Sequence, residues 1–132
     1  MENILEKYKI IRYKIDNDNN GHHKIGCLIL DKSYRNLYSF GYNKYNIDKF
    51  NRSLHAEEDA INKLRFTNKN KKVNILIFRI SNDCKKIMLG EPCYKCINII
   101  NEGLKYKGYN LNKLFCTDIN GEIIKKNIKR IC

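Results

Sequence analysis

Tryptophan is absent from the 132 residues, proline occurs once, and acidic side chains number 14 against 26 lysines and arginines. A single proline and seven glycines leave no linker to divide the chain. One domain over residues 1–132 is therefore expected, large enough to bury a core without disulfide staples. No apolar run approaches the roughly 18 residues that a membrane span requires. The opening residues Met1 to Lys7 carry two acidic side chains and no small-residue cleavage site. Neither secretion nor a membrane partner is expected; a cytoplasmic, intracellular location is.

Positive charge is what the chain has in excess. A formal net charge of +12 would draw anionic partners such as nucleotides, RNA or single-stranded DNA. The lysines are spread along the sequence together with 19 asparagines and 20 isoleucines, and a compositional bias gives the same excess. Charge alone does not choose the substrate. The six cysteines suit a reducing compartment better than a disulfide scaffold. Cys27 and Cys116 sit in apolar runs and read as small core residues, Cys84 as a loop thiol and Cys132 as a terminal one. Cys93 and Cys96 form a tight pair.

Apolar residues Ile4, Tyr8, Ile11 and Ile15 share one helical face, which predicts a first amphipathic helix from Asn3 to about Ile15. Lys24–Leu30 and Asn36–Tyr42 read as strands joined by a turn over Asp31 to Arg35. Helical spacing begins at His55 and continues through Ala56, Ala60, Ile61, Leu64 and Phe66, with Glu58, Asp59, Lys63 and Arg65 facing water. Val73–Ile80 is a nearly unbroken apolar run, as expected of a central strand. A loop from Ser81 to Glu91 leads to Pro92 and a helix over Cys93 to Leu104, proline being tolerated where the first N–H groups have no intrahelical partner. Lys113–Thr117 and a strand from Ile123 flank an Asn-Gly turn, the signature of an antiparallel hairpin. The expected architecture is a three-layer α/β/α arrangement with three main helices and a mixed sheet of about five strands.

The chemistry-bearing residues are His55-Ala56-Glu57 and Pro92-Cys93-Tyr94-Lys95-Cys96. Two cysteines three apart share one face of a helical first turn, and the positive end of that helix favours thiolate over thiol. One imidazole and two thiolates are a soft tetrahedral donor set, which points to Zn2+ and leaves a fourth position for water. His22 and His23, in an Asn- and Gly-rich stretch, read as surface residues; completion of the shell by one of them or by Cys84 would make the zinc purely structural. Glu57, two residues from His55, is close enough to handle protons of a water at the metal without ligating it. A catalytic carboxylate beside an open metal site implies hydrolysis.

In these motifs the sequence resembles the zinc-dependent cytidine and deoxycytidylate deaminase superfamily, over about Lys24 to Ile124. The resemblance implies a cytidine deaminase-like fold, zinc held by His55, Cys93 and Cys96, and Glu57 as proton shuttle. It also implies that the Ala56 N–H meets the pyrimidine O2, that the Glu91 carbonyl accepts from the exocyclic amine, and that Asn43 of Gly41-Tyr42-Asn43 touches the sugar. Phe40 and Tyr42 are candidates for the pocket wall or the core. Arg52, Arg79 and Lys95 are candidates for balancing thiolate charge or holding a phosphate, or are surface residues.

The branches of the superfamily differ. His55 as first ligand matches the deoxycytidylate, tRNA and editing deaminases, whereas an antiparallel final hairpin matches the free-nucleoside enzymes. Glu91-Pro92-Cys93 is similar to the tRNA-adenosine branch, but Tyr94-Lys95 departs from it. The interval from Glu57 to Pro92 is long, with Asn82 to Leu89 as the expected insertion. The expected reaction is conversion of a cytosine nucleoside or nucleotide to its uracil form with release of ammonia. Deamination of bases in RNA or single-stranded DNA is one alternative, and a non-catalytic, zinc-stabilised nucleic-acid-binding protein another. Self-association is expected because small members complete their pockets across subunits.

Overall fold

The apolar run that begins at Val73 is the centre of the protein. In the computed structural model, which describes residues 24–43, 55–80, 87–88, 94–117 and 122–126, this strand is β3, Lys71–Ile80. β1 (Lys24–Asp31) lies antiparallel along one side of it, and β5 (Tyr109–Thr117) lies parallel along the other. Val73 and Ile75–Phe78 are almost completely buried, as a strand covered on both faces must be. β2 (Leu37–Tyr42) pairs antiparallel with β1, and β6 (Ile123–Lys126) antiparallel with β5. The strand path is β2-β1-β3-β5-β6, a mixed sheet, and the final hairpin expected from Asn120-Gly121 is present as the β5–β6 pair.

Two helices connect these strands. α1 (Ala56–Lys63) follows β2 and feeds β3; α2 (Tyr94–Lys107) follows a two-residue strand, β4 (Ile87–Met88), and feeds β5. Both return from the end of the sheet where β3 finishes to the end where it starts, because α1 leads into Lys71 and α2 into its partner Tyr109. Ala60, Ile61 and Leu64 from α1 and its end, and Ile97, Ile100 and Leu104 from α2, pack on Cys27, Ile29, Ile75, Ile77 and Leu114. Burying a side chain of this kind stabilises by roughly 1.5–3 kcal/mol, so this face is a principal source of cohesion. The opposite face carries a second buried cluster of Leu28, Leu30, Tyr42, Leu76 and Phe78. The protein is α/β, as expected; the predicted helix over Asn3 to Ile15 lies outside the described residues.

Several expectations are corrected in detail. The last long strand begins at Tyr109 instead of Lys113, because Leu111 packs inward and a register shift absorbs Asn112 opposite Val73 and Asn74. The expected loop from Ser81 contains a two-residue strand, β4 (Ile87–Met88), paired with Arg79 and Ile80. Phe66, expected on the apolar face of the helix that follows His55, lies beyond the end of that helix at Lys63 and is exposed. Cys27 and Cys116 are buried core residues, as expected. Among the described residues no helix is long and apolar enough to cross a membrane.

The turn between β1 and β2 follows from Asp31. Its carboxylate accepts from the Ser33 hydroxyl at 3.1 Å, the Arg35 N–H at 2.9 Å and the Asn36 amide at 2.8 Å. Desolvation pushes its pKa up, but the bonds from Asn36, Arg35 and Ser33 outweigh it and hold the carboxyl below the ordinary value.

Candidate active site

α1 starts where β2 ends, at the finishing end of β3. His55 occupies the N-cap with extended backbone, and its carbonyl accepts the first helical bond, from Asp59 N–H at 3.0 Å. Its imidazole is exposed and does not cap the helix. Ala56 and Glu57 are the first two helical residues, and both are buried. Glu57, Glu58 and Asp59 all lie in the first turn, where the positive end of the helix favours carboxylates. Glu57 is only 4% exposed. The same helix start thus carries a buried carboxylate and an exposed imidazole.

Close approach of β2 holds this turn in position. A Cβ at Gly41 would lie 2.5 Å from the Ala56 carbonyl oxygen and 2.9 Å from the Ala60 Cα, so only glycine permits the contact. The Ser39 hydroxyl donates to the Ala60 carbonyl at 2.6 Å. Asp59, expected to face water, is instead 4% exposed and accepts from the Tyr42 N–H at 3.2 Å. It also pairs with Lys63 at 3.0 Å. The reason is topological: β2 is an edge strand, and its outward N–H must find an acceptor that sequence periodicity does not reveal. Ser39 and Asp59 were therefore missed as positioning residues. The pairing of Gly41 with an Ala-x-x-x-Ala helix was the available signal.

Asn43 is buried just beyond β2 and extends its pairing with β1. Its N–H donates to the Ile25 carbonyl at 3.1 Å, and its side-chain oxygen accepts from the Ile25 N–H at 3.0 Å. The amide thus fixes the end of β2 beside the start of α1. Tyr42 and Phe40 belong to the core face opposite α1, where the Lys63 ammonium reaches around the sheet edge to lie about 5 Å from both ring centres. Arg79 lies at the finishing end of β3 and is half-buried.

Cys96 falls in the first turn of α2, so the two helix starts that carry the expected ligands lie at one end of the sheet. Glu91, Pro92, Cys93 and Arg52 lie outside the described residues, as do the side chains of Lys95 and Cys96. Among the described residues no three His, Cys, Asp or Glu side chains gather, since two of the three expected ligand side chains are not among them. The donor chemistry fits zinc: an exposed imidazole at one helix start and thiols at the next make a borderline-soft set.

An α/β sheet with a His-Ala-Glu helix start and a Cys-x-x-Cys motif at the next helix start, at the same end, is a frame suited to a metal-dependent hydrolase. Residues 4–107 match the family described as the cytidine and deoxycytidylate deaminase zinc-binding region, and the chain belongs to that family. Membership places it among zinc-dependent deaminases. No curated protein matches the chain.

Proposed function

We propose that this protein hydrolytically deaminates a cytosine nucleoside or nucleotide to the uracil form, releasing ammonia. The observation that supports it most is the buried Glu57 carboxylate, enclosed in the first turn of α1 beside the exposed His55. His55, Cys93 and Cys96 would hold zinc. When bound, the metal supplies the acidity that makes water a nucleophile near neutral pH.

The protein's own groups do the remaining work. Glu57 accepts one proton from the attacking water and passes it to the pyrimidine N3, then takes the second from the hydroxyl now on C4 and gives it to the departing amine as the C4–N bond breaks. Its burial shields that proton from exchange with solvent. The Ala56 N–H, one of the first-turn groups without an intrahelical acceptor, would bind the pyrimidine O2. The Glu91 carbonyl would accept from the exocyclic amine, and Asn43 would contact the sugar through the end of β2 that it stabilises.

The deciding variant is Glu57→Gln. It should keep its zinc and lose turnover by about 10²–10⁴-fold, the range typical of a lost general acid–base group. Equal rates for variant and parent would refute the assigned proton path. The substrate is found by following ammonia release from cytidine, deoxycytidine, their monophosphates, adenosine, and short RNA and DNA strands. A zinc-loaded protein that leaves all of them intact would favour the non-catalytic reading.

A further inference from the structure

At the other end of the sheet, away from His55 and Glu57, basic and aromatic side chains are interleaved on the surface. α1 spans eight residues, which separates the two ends by about 12 Å along its axis. The sequence has no acidic residue from 60 to 82 or from 103 to 117, and five basic ones from Lys63 to Lys72. These two stretches meet where α1 enters β3 and α2 enters β5. Thr67 N–H donates to the Lys107 carbonyl at 2.9 Å, and the Tyr109 hydroxyl donates to the Arg65 carbonyl at 2.7 Å.

Two large rings stand in water there. Phe66 is 66% and Tyr106 77% exposed, and they contact each other edge to face with centroids 5.4 Å apart. Beside them Tyr38, Arg65, Phe66, Lys71 and Tyr109 line an open cleft of about 330 Å³. The Lys71 ammonium lies 5.4 Å from the Tyr38 ring centre, and the Lys107 ammonium 5.1 Å from that of Phe66. Lys63 is neutralised by Asp59, and Lys107 donates to the Asn62 and Leu64 carbonyls at the end of α1. Arg65 and Lys69 are exposed and make no ion pair with a described residue.

Exposed rings offer stacking faces to bases, and unpaired cations set among them attract phosphates. We propose that this surface is a binding site for single-stranded nucleic acid, separate from the catalytic end, with Phe66 and Tyr106 stacking bases and Arg65, Lys69 and Lys71 contacting the backbone. A strand fits better than a free nucleotide because the rings and charges are spread across an open surface. The catalytic end is not required for this site.

The test is fluorescence anisotropy of the full chain with short labelled oligouridylate and oligothymidylate, whose bases carry no exocyclic amine to remove. Binding should weaken with salt, with a log–log slope of about −2 for three neutralised phosphates. Phe66→Ala with Tyr106→Ala should weaken it by roughly five- to a hundredfold per ring. Arg65→Glu with Lys69→Glu should abolish it at moderate salt. Both double variants should melt like the parent and deaminate a free nucleotide at the parent's rate. Strand affinity unchanged in both would overturn the site. Equally tight binding of dextran sulfate, which has no bases, would overturn the stacking role.

Discussion

Gly41 decides how near β2 can come to α1, and with it where the His55–Glu57 turn sits. The contacts a Cβ would make are with the backbone of Ala56 and Ala60, which cannot swing aside as a side chain would. Gly41→Ala should therefore cost about 3 kcal/mol of stability in urea unfolding, at the upper end of overpacking effects. It should also lower zinc content, because relief of the clash moves the first turn of α1. Asp59 acts from the other side of the same junction. Asp59→Ala strands the Tyr42 N–H and frees Lys63, a loss of about 2 kcal/mol, whereas Asp59→Asn keeps an acceptor for that N–H and should lose about half as much. Equal losses for the two variants would show that the ion pair, and not the edge N–H, is what matters. Glu57 could be singled out in the sequence because its expected chemistry is local to His55. Asp59 was not, because its partner Tyr42 is set by which strand forms the sheet edge.

Among the elements, the strands were read well where side chains alternate or are apolar throughout. β1, β2 and β3 fall within a few residues of their expected bounds, and the antiparallel β5–β6 hairpin follows from Asn120-Gly121. β5 was read short because Tyr109, Asn110 and Asn112 break the apolar pattern. Their polar groups are used at the end of the sheet opposite the active site, where the Asn112 amide donates to Asn74 at 3.0 Å and Asn74, fully buried, donates in turn to the Asp31 and Lys32 carbonyls. Tyr109 anchors the start of β5. Burial, and secondarily the neighbouring Tyr38 hydroxyl, raise its pKa above the ordinary tyrosine value. The folded state thus holds the phenolic proton more tightly than the unfolded chain does. That contribution is complete below the unfolded pKa of about 10 and is lost as pH rises through the folded value. Tyr109→Phe, which also removes the bond to the Arg65 carbonyl, should cost about 1 kcal/mol at neutral pH. Its stability should then fall less steeply than the parent's in denaturation series above about pH 10. Parallel alkaline limbs would mean that Tyr109 is not a group that titrates on unfolding.

At the scale of the whole molecule, both helices start at the finishing end of β3, and the proposed ligands divide between those starts: His55 at α1, Cys93 and Cys96 at α2. α1 and α2 share an apolar face against the sheet, and a metal held between their starts would act in addition to that contact. It would restrain the two starts relative to each other, and a ligand that binds only the folded state stabilises it by about 2.7 kcal/mol when present at a hundred times its dissociation constant. Chelation should accordingly lower the thermal midpoint of the parent, and added zinc should restore it. Glu57→Gln, which keeps all three ligands, should respond like the parent. Cys96→Ser should unfold near the chelated parent's midpoint and be insensitive to chelator, because its shell is broken from the start. A parent whose midpoint ignores chelation, while zinc measurably leaves the protein, would mean that the metal does not join these helices. The proton chemistry of Glu57 would then have to be positioned by Gly41, Ser39 and Asp59 alone.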